Sequence, residues 1–237
     1  MPEVNAFGQQ VGDLVEPAWS PRARPAAVTL EGRYVVVEPL ALAHAGPLFG
    51  ALCGPGDRPL WTYRATEPPA DLDEMTALVA RMLAEPDMLT FTLVPRDGGP
   101  SGMASYTRID PATGQVEVAA VLFARSLQRT RAATEAIHLL MRHAFDDLGY
   151  RRFEWKCDAL NEPSRRATAR LGFHHEGRFR HHMVTKGRNR DTDWFSVTDA
   201  EWPAVRAGHE AWLDPANFDD DGAQRTSLSA AWGAEAP

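Results

Sequence analysis

The chain has little cysteine, since only Cys53 and Cys157 occur among its 237 residues. Neither thiol belongs to a Cys-x-x-Cys pair or to a cysteine–histidine spacing typical of zinc. These absences argue against a disulfide-stapled secreted fold, and no metal ligand is predicted. Lone thiols are most often buried as small hydrophobic side chains. Because so few cysteines occur, we expect a reducing, cytoplasmic location.

Long apolar runs are also missing. No stretch approaches the roughly 18–20 residues that a membrane helix needs. The opening MPEVNAFGQQVGDLVEP lacks the basic start and apolar core of a secretory signal. With 44% hydrophobic and 24% charged residues, the composition is that of an ordinary soluble globular protein, and we expect no membrane partner.

Charge is distributed unevenly along the chain, whose formal net charge is −7. Residues 125–190 hold 15 Lys/Arg against 7 Asp/Glu, a local balance of +8, while residues 1–124 and 191–237 balance to −7 and −8. An acidic chain seldom binds nucleic acid as a whole, so no nucleic-acid partner is predicted. The basic centre indicates one bounded anionic ligand, with a solvated basic face as an equal alternative.

Apolar periodicity gives the order of the elements. Strands are predicted over 33–40, 88–95, 101–109, 116–123 and 152–157, with two more inside 176–198 around a turn at 186–189. Helices are predicted over 68–86, from about Thr130 to a stop at Gly149, over 161–172 and within 199–213. Because a helix connects the strands at 116–123 and 152–157, those two strands can pair in parallel.

This order predicts a single-domain α/β fold with a mixed, mostly antiparallel sheet. An extended, proline-rich arm is expected at 1–32, the folded domain at 33–213 and a polar C-terminal tail at 214–237. Trp19 is a candidate to pin the arm to the domain.

Two stretches carry the candidate chemistry. In LQRTRAATEA (127–136) a helix begins shortly after a strand, so unpaired N–H groups and nearby arginines favour a phosphate or pyrophosphate. An arginine-rich surface loop is the alternative. In NEPSRRATARLG (161–172) the next strand–loop–helix offers the Asn161 amide and the Ser164 hydroxyl, although an N-cap and a first-turn serine would look the same.

Together these stretches resemble the GCN5-related N-acetyltransferases. The likeness is carried by LQRTRAATEAIHLLMRHAFDDLGYRRFEWK, DALNEPSRRATARLGFHHEGRFRHHM and GRNRDTDWFSVTDAEWP, and is strongest for the branch that includes ribosomal-protein N-terminal acetyltransferases. It implies a fold whose central parallel strands splay apart, with acetyl-coenzyme A as cosubstrate. The acceptor would be a primary amine of a small molecule, a peptide or a protein N-terminus.

The resemblance also assigns residues to coenzyme binding. The family's pyrophosphate loop, Q/R-x-x-G-x-G/A, is matched at its ends by Gln128 and Ala133, and Arg131 stands where glycine is usual. Backbone amides of the loop would cradle the pyrophosphate, and the end of the preceding strand would lie beside the pantetheine arm. The implied set is Leu122, Phe123, Ala124, Gln128, Arg129, Thr130, Arg131, Ala132, Ala133, Asn161 and Ser164.

Catalytic roles follow from the same resemblance. Asn161 and Ser164 match an N-x-x-S motif whose serine serves the leaving thiolate as acid, or only as a hydrogen-bond donor because serine is a weak acid. Where that branch can carry a glutamate base this chain has Met183, so Glu117 on the splayed strand is the first candidate base. His181 and His182 are second candidates. Each of these residues could instead be structural.

Other possibilities stay open at this stage. The chain could be a non-catalytic acyl-coenzyme A-binding or regulatory module, or could bind a nucleotide without acyl chemistry. Trp61 and Tyr63 could line the acceptor pocket or belong to the core or rim. An exposed edge strand and an apolar terminal segment would allow a homodimer.

Overall fold

The computed structural model describes residues 3–15 and 17–232, which are built around one eight-stranded sheet. A separate short hairpin pairs β1 (Glu3–Val4) with β2 (Gln10–Val11). The strands of the large sheet are β3 (Leu30–Glu31), β4 (Val35–Pro39), β5 (Leu89–Pro95), β6 (Gly102–Asp110), β7 (Gln115–Phe123), β8 (Arg152–Asp158), β9 (His174–Thr185) and β10 (Arg188–Thr198).

The strands lie in the order β3-β4-β5-β6-β7-β8-β10-β9, and only β7 and β8 pair in parallel. The prediction of a mostly antiparallel sheet with a parallel central pair is therefore confirmed. The short strand β3 was not predicted, because its two residues fall inside the proline-rich arm. The turn between β9 and β10 is formed by Lys186 and Gly187, both with positive φ, as two-residue hairpins require.

Within the described residues five α-helices cover the sheet: α1 (Ala45–Leu52), α2 (Leu72–Ala84), α3 (Arg131–Arg142), α4 (Glu162–Arg170) and α5 (Trp202–Leu213). One face of the sheet forms a large core with α3 and α5, and the other face forms a smaller core with α1 and α2. The helix predicted to stop at Gly149 ends with a π-helical turn over His143–Asp147, and Gly149 takes the left-handed φ of 67°.

The central strands separate after a short shared stretch. Pairing between β7 and β8 ends at Val118 and Trp155, although both strands continue. Just beyond this point β7 carries a bulge, since its register with β6 gains one residue around Ala120, whose φ is 54°. A bulge bends its strand and increases the local twist, so it directs the end of β7 away from β8.

Parts of both terminal segments contact the domain. In the predicted arm, Trp19 donates from Nε1 to the carbonyl of Ala112 at 2.7 Å. In the predicted polar tail, Leu228 is buried and Gln224 accepts from Trp212 Nε1 at 2.7 Å, so the described part of this segment is packed rather than free. Residues 1–2, 16 and 233–237 lie outside the described residues. No described helix has the length and apolar character to cross a membrane.

Candidate active site

A cleft of about 1930 Å³ includes the space where β7 and β8 separate. Its lining contains every residue assigned above to the coenzyme except Ala124. Ala124 is buried, and its N–H bonds the carbonyl of Ser101 at 2.8 Å, so it supports the strand end from behind. The structure thus collects residues from β7, the following loop and α4 around one space.

The start of α3 has the properties of an anion site. Thr130 is the N-cap, and its hydroxyl oxygen accepts from the N–H of Ala133 at 3.1 Å. Within the described part of the chain, the N–H groups of Arg131 and Ala132 have no acceptor, as expected for a first turn. They line the cleft at the positive end of the helix dipole, which suits a pyrophosphate.

Arg131 does not strain this loop. The left-handed residue is Arg129, with φ of 62°, whereas Arg131 is the first residue of the helix and its φ is not positive. Residue 131 therefore needs no glycine-only backbone conformation in this chain, although glycine is usual at this position of the family loop. The Arg131 guanidinium instead lies over the rings of Phe218 at 4.3 Å and Tyr34 at 5.2 Å.

The end of β7 presents backbone groups to the cleft. Since Ala124 directs its N–H toward β6, the alternation of a strand directs the N–H and carbonyl of Phe123 toward the open side. The Phe123 carbonyl accepts from Gln128 Nε2 at 3.0 Å, which holds the Gln128 side chain beside the strand. Phe123 is thus the residue at this strand end whose backbone N–H faces the cleft, where it can bind a thioester oxygen.

Ser164 lies on the α4 side of β8. Asn161 is the N-cap of α4, and its Oδ1 accepts from the Ser164 N–H at 3.2 Å. Trp155 Nε1 donates to Ser164 Oγ at 3.0 Å. This bond uses a lone pair of the oxygen, so it does not engage the serine proton. Asn161 therefore positions the helix start, and Ser164 is the group that can donate.

Glu117 occupies the floor of the opening, one residue before the last paired position of β7. Its side chain is only 1% exposed, and Oε2 accepts from Lys156 Nζ at 2.8 Å. Oε1 is buried without any hydrogen-bond partner among the described residues. Burial raises the pKa of Glu117, and the neighbouring Lys156 charge opposes that rise.

Further cations surround this carboxylate. A bulge in β6, where Arg108 has a φ of 48°, places Arg108 Nε 3.6 Å from Glu117 Oε2 and 3.7 Å from Glu154 Oε2. Lys156 and Arg108 both lie over the ring of Trp194, at 5.0 and 5.2 Å. The site therefore holds a buried carboxylate between two cations on an aromatic support.

Glu117 and Ser164 approach the cleft from opposite faces of the sheet. Val118 and Trp155 point into the core beneath α3, and the Ser164 hydroxyl contacts that same Trp155. Glu117 comes one residue before Val118, and Lys156 comes one residue after Trp155. Both side chains therefore point to the other face of the sheet. Only where the strands separate can groups from the two faces reach a common centre.

Of the four remaining candidate residues from the sequence, one lines the cleft and three do not. Trp61 is fully buried, donates to the Leu52 carbonyl and belongs to the core, whereas Tyr63 lines the cleft and donates to the Leu160 carbonyl at 2.8 Å. His181 and His182 are exposed on β9 and are not part of the cleft lining.

Two carboxylates near the cleft have structural partners. Asp193 of β10 is buried against Arg178, with Nε–Oδ1 of 2.6 Å. Glu135 of α3 accepts backbone N–H bonds from residues 33–35 at 2.6–3.0 Å. Both side chains fix neighbouring segments rather than face a ligand.

The family model for the acetyltransferase (GNAT) domain matches residues 35–174, more than half of the chain. The chain belongs to this family. A GCN5-related N-acetyltransferase from Brucella melitensis is 43% identical, with 91% of this chain and 99% of that chain covered and a TM-score of 0.89. A probable GNAT-family acetyltransferase from Chromobacterium violaceum is 35% identical, covers 82% and 98% of the two chains and has a TM-score of 0.76.

A curated relative from Bacillus subtilis (strain 168) is named "Putative ribosomal N-acetyltransferase YdaF". It is 28% identical over 106 residues, which are 45% of this chain and 57% of the relative. The match thus spans little more than half of that relative, and its name agrees with the branch that the sequence resembles. Membership in the GNAT family makes the protein an N-acetyltransferase, in a family that uses acetyl-coenzyme A.

Several residues of the site were not foreseen from the sequence. Trp155 and Lys156 were assigned to a half-buried strand by their alternation, without a role at the site. Arg64 belongs to no motif, and Arg190 lies in the GRNRDTDWFSVTDAEWP stretch without an assigned role, yet both line the cleft. Their signal is tertiary, because segments far apart in the chain meet there.

Proposed function

We propose that this protein transfers the acetyl group of acetyl-coenzyme A directly to a primary amine of a small molecule, peptide or protein N-terminus. Coenzyme and amine would be bound together, the coenzyme along α3 and α4 and the amine on the Glu117 face. The observation that carries the proposal is Glu117 Oε1, a buried and unpartnered carboxylate oxygen at the opening between β7 and β8.

In this reaction each protein group has one task. Glu117 takes a proton from the ammonium form of the acceptor, directly or through one water, so that the neutral nitrogen can attack the thioester carbonyl. The Phe123 N–H stabilises the negative charge that develops on the carbonyl oxygen. As the carbon–sulfur bond breaks, the nitrogen gives up its second proton and the departing thiolate takes up a proton to leave as the coenzyme A thiol, while a hydrogen bond from Ser164 stabilises the sulfur.

The same observation favours catalysis over the alternative of a non-catalytic acyl-coenzyme A-binding module. A module that only held the coenzyme would gain nothing from leaving a carboxylate oxygen buried without a partner, which costs stability. The resident cation Lys156 supports the proposal, because its charge opposes the rise in the pKa of Glu117 that burial causes.

The test is thiol release from acetyl-coenzyme A with a panel of amines, run in parallel with coenzyme binding. We expect amine-dependent release that is strongly reduced in Glu117→Gln, with coenzyme affinity unchanged. Binding without release for every amine would contradict the proposal and leave the binding module.

A further inference from the structure

Unpartnered polar atoms are concentrated on one side of the cleft. Nine buried side-chain nitrogen or oxygen atoms lack a hydrogen-bond partner among the described residues. Five of them belong to residues on or beside the Glu117 face of the sheet, and native proteins leave few such atoms without a bound partner. The five are Arg64 Nε, Glu117 Oε1, Arg190 Nε, Thr192 Oγ1 and Trp194 Nε1.

The two arginines lie on the Glu117 side. Thr192 and Trp194 pair with Asp158 and Lys156 of β8, so their side chains share the face of Lys156 and Glu117. Arg190 stands two residues before Thr192, and because the register shift between them places its extra residues in β9, the alternation of β10 puts Arg190 on that face. Its guanidinium lines the cleft.

Arg64 is held close to the same hairpin. The Trp61 carbonyl accepts both the Arg64 N–H at 3.1 Å and Lys186 Nζ at 2.9 Å, and Lys186 belongs to the β9–β10 turn. Lys186 also pairs with Glu67 at 3.2 Å, which ties the loop to the hairpin a second time. The Arg64 guanidinium therefore faces the cleft beside the hairpin that carries Arg190.

Neither guanidinium has an anionic partner of its own. Over residues 3–15 and 17–232, no carboxylate lies within ion-pair distance of Arg64 or Arg190, and neither side chain donates a hydrogen bond. Burial lowers the pKa of Arg64, yet an arginine stays charged in proteins. Two partly buried cations that line a cleft, with no counter-ion among the described residues, form a site for anionic oxygen atoms, which a planar guanidinium binds in pairs.

We infer that Arg64 and Arg190 bind an anionic oxygen group of the acceptor, so that the preferred substrate is a primary amine that also carries a carboxylate or a phosphate. This inference rests on the proposed function, because it concerns the acceptor side of the same site. The amine would lie toward Glu117 and the anionic group toward the two guanidiniums. Lys186 orients the loop and does not itself serve as the anion partner, since Glu67 already neutralises it.

The experiment compares matched amines that differ in the anionic group. The pairs are alanine with alaninamide, O-phosphoethanolamine with ethanolamine, and an amidated dipeptide beginning with aspartate with the one beginning with asparagine. Rates are expressed per neutral amine, since the amine pKa differs within each pair. The first two pairs separate carboxylate from phosphate, and the third tests whether the anion can belong to a peptide.

The variants are Arg64→Gln and Arg190→Gln, with Arg188→Gln as the control. Arg188 is exposed on the same hairpin and does not line the cleft, so it matches the loss of charge. We expect kcat/KM to favour the anionic member of at least one pair by about 10- to 100-fold. Each cleft variant should lose most of that preference while coenzyme affinity stays at the wild-type value.

Binding of the same amines to the coenzyme A-loaded protein is measured by calorimetry, which decides the inference even if turnover fails. Equal kcat/KM and equal binding within every pair would overturn the inference and leave acetyl transfer intact. A preference for anionic amines that both Arg64→Gln and Arg190→Gln retain would also overturn the inference. The same holds if these variants lose coenzyme affinity while their amine preference is unchanged. Absence of turnover with selective binding of anionic amines would contradict the proposed function alone.

Discussion

Replacing Glu117 with glutamine gives the sharpest prediction about the chemistry. The substitution keeps the shape of the side chain and removes its ability to accept a proton at Oε1, the atom without a partner. A positioned general base contributes about 10²–10⁴-fold to rate, so kcat/KM should fall by that order. Coenzyme affinity should not change, because the coenzyme residues lie on the other face and in the α3 loop.

The same substitution has a calculable effect on stability. Lys156 Nζ loses its charged partner at 2.8 Å, but Lys156 is 24% exposed and retains Trp194 beneath it. We expect a loss of about 1–3 kcal/mol, the usual cost of an unsatisfied buried group, and a folded protein. Glu162→Gln is the control, since Glu162 is an exposed carboxylate on α4 that pairs with Arg166.

The pH dependence adds a second readout for Glu117. Because its pKa is raised, protonation removes the base as pH falls, and the acidic limb of kcat/KM should lie above the ordinary glutamate value of about 4.5. Glu117→Gln should lose this limb when rates are expressed per neutral amine. A folded Glu117→Gln protein with wild-type kcat/KM and an unchanged limb would refute the assignment of Glu117 as base.

Three further predictions concern other parts of the molecule. Ser164→Ala should lower kcat about 5- to 15-fold, the value of one hydrogen bond, without weakening coenzyme binding; unchanged turnover would remove its role. Arg131→Gly should lower the melting temperature and should not tighten coenzyme binding, because residue 131 is helical. Markedly tighter coenzyme binding would mean that the arginine disturbs the loop. Burial lowers the pKa of His138 to about 4 and of His209 to about 3. The unfolded state alone takes up these protons, so above about pH 6.5 the two histidines should not reduce the free energy of unfolding, measured by denaturant titration. Toward pH 4 that free energy should fall by up to about 1.4 kcal/mol per pH unit per histidine. His209→Gln should reduce that slope, and an identical slope in the variant would contradict the explanation.

The elements of the fold could be predicted because each carries a local signal. The periodic apolar side chains of 136–148 and the Thr130 cap define α3, and Asn161 and Gly172 bound α4. The packing of the C-terminal segment could not be predicted in this way. Leu228 is one apolar residue in a polar stretch, and no periodicity shows that it is buried.

Candidate site residues could be named from the sequence only where a motif or a strand pattern pointed to them. Glu117 followed from its position on the splayed strand, and Ser164 from its spacing to Asn161. Arg64 and Arg190 come from segments more than a hundred residues apart, which are joined by the bond from Lys186 to the Trp61 carbonyl and by the Lys186–Glu67 ion pair. The family motif showed that Arg131 replaces the usual glycine, but only the structure shows that the left-handed residue of this loop is Arg129.

Amine-dependent turnover of acetyl-coenzyme A is the measurement that tests the central claim most directly. The protein is incubated with acetyl-coenzyme A and each amine, and both the free thiol and the mass of the amine are followed. The account predicts equal amounts of free coenzyme A and acetylated amine, formed far more slowly by Glu117→Gln. Coenzyme binding with no acetylated product from any amine would contradict it.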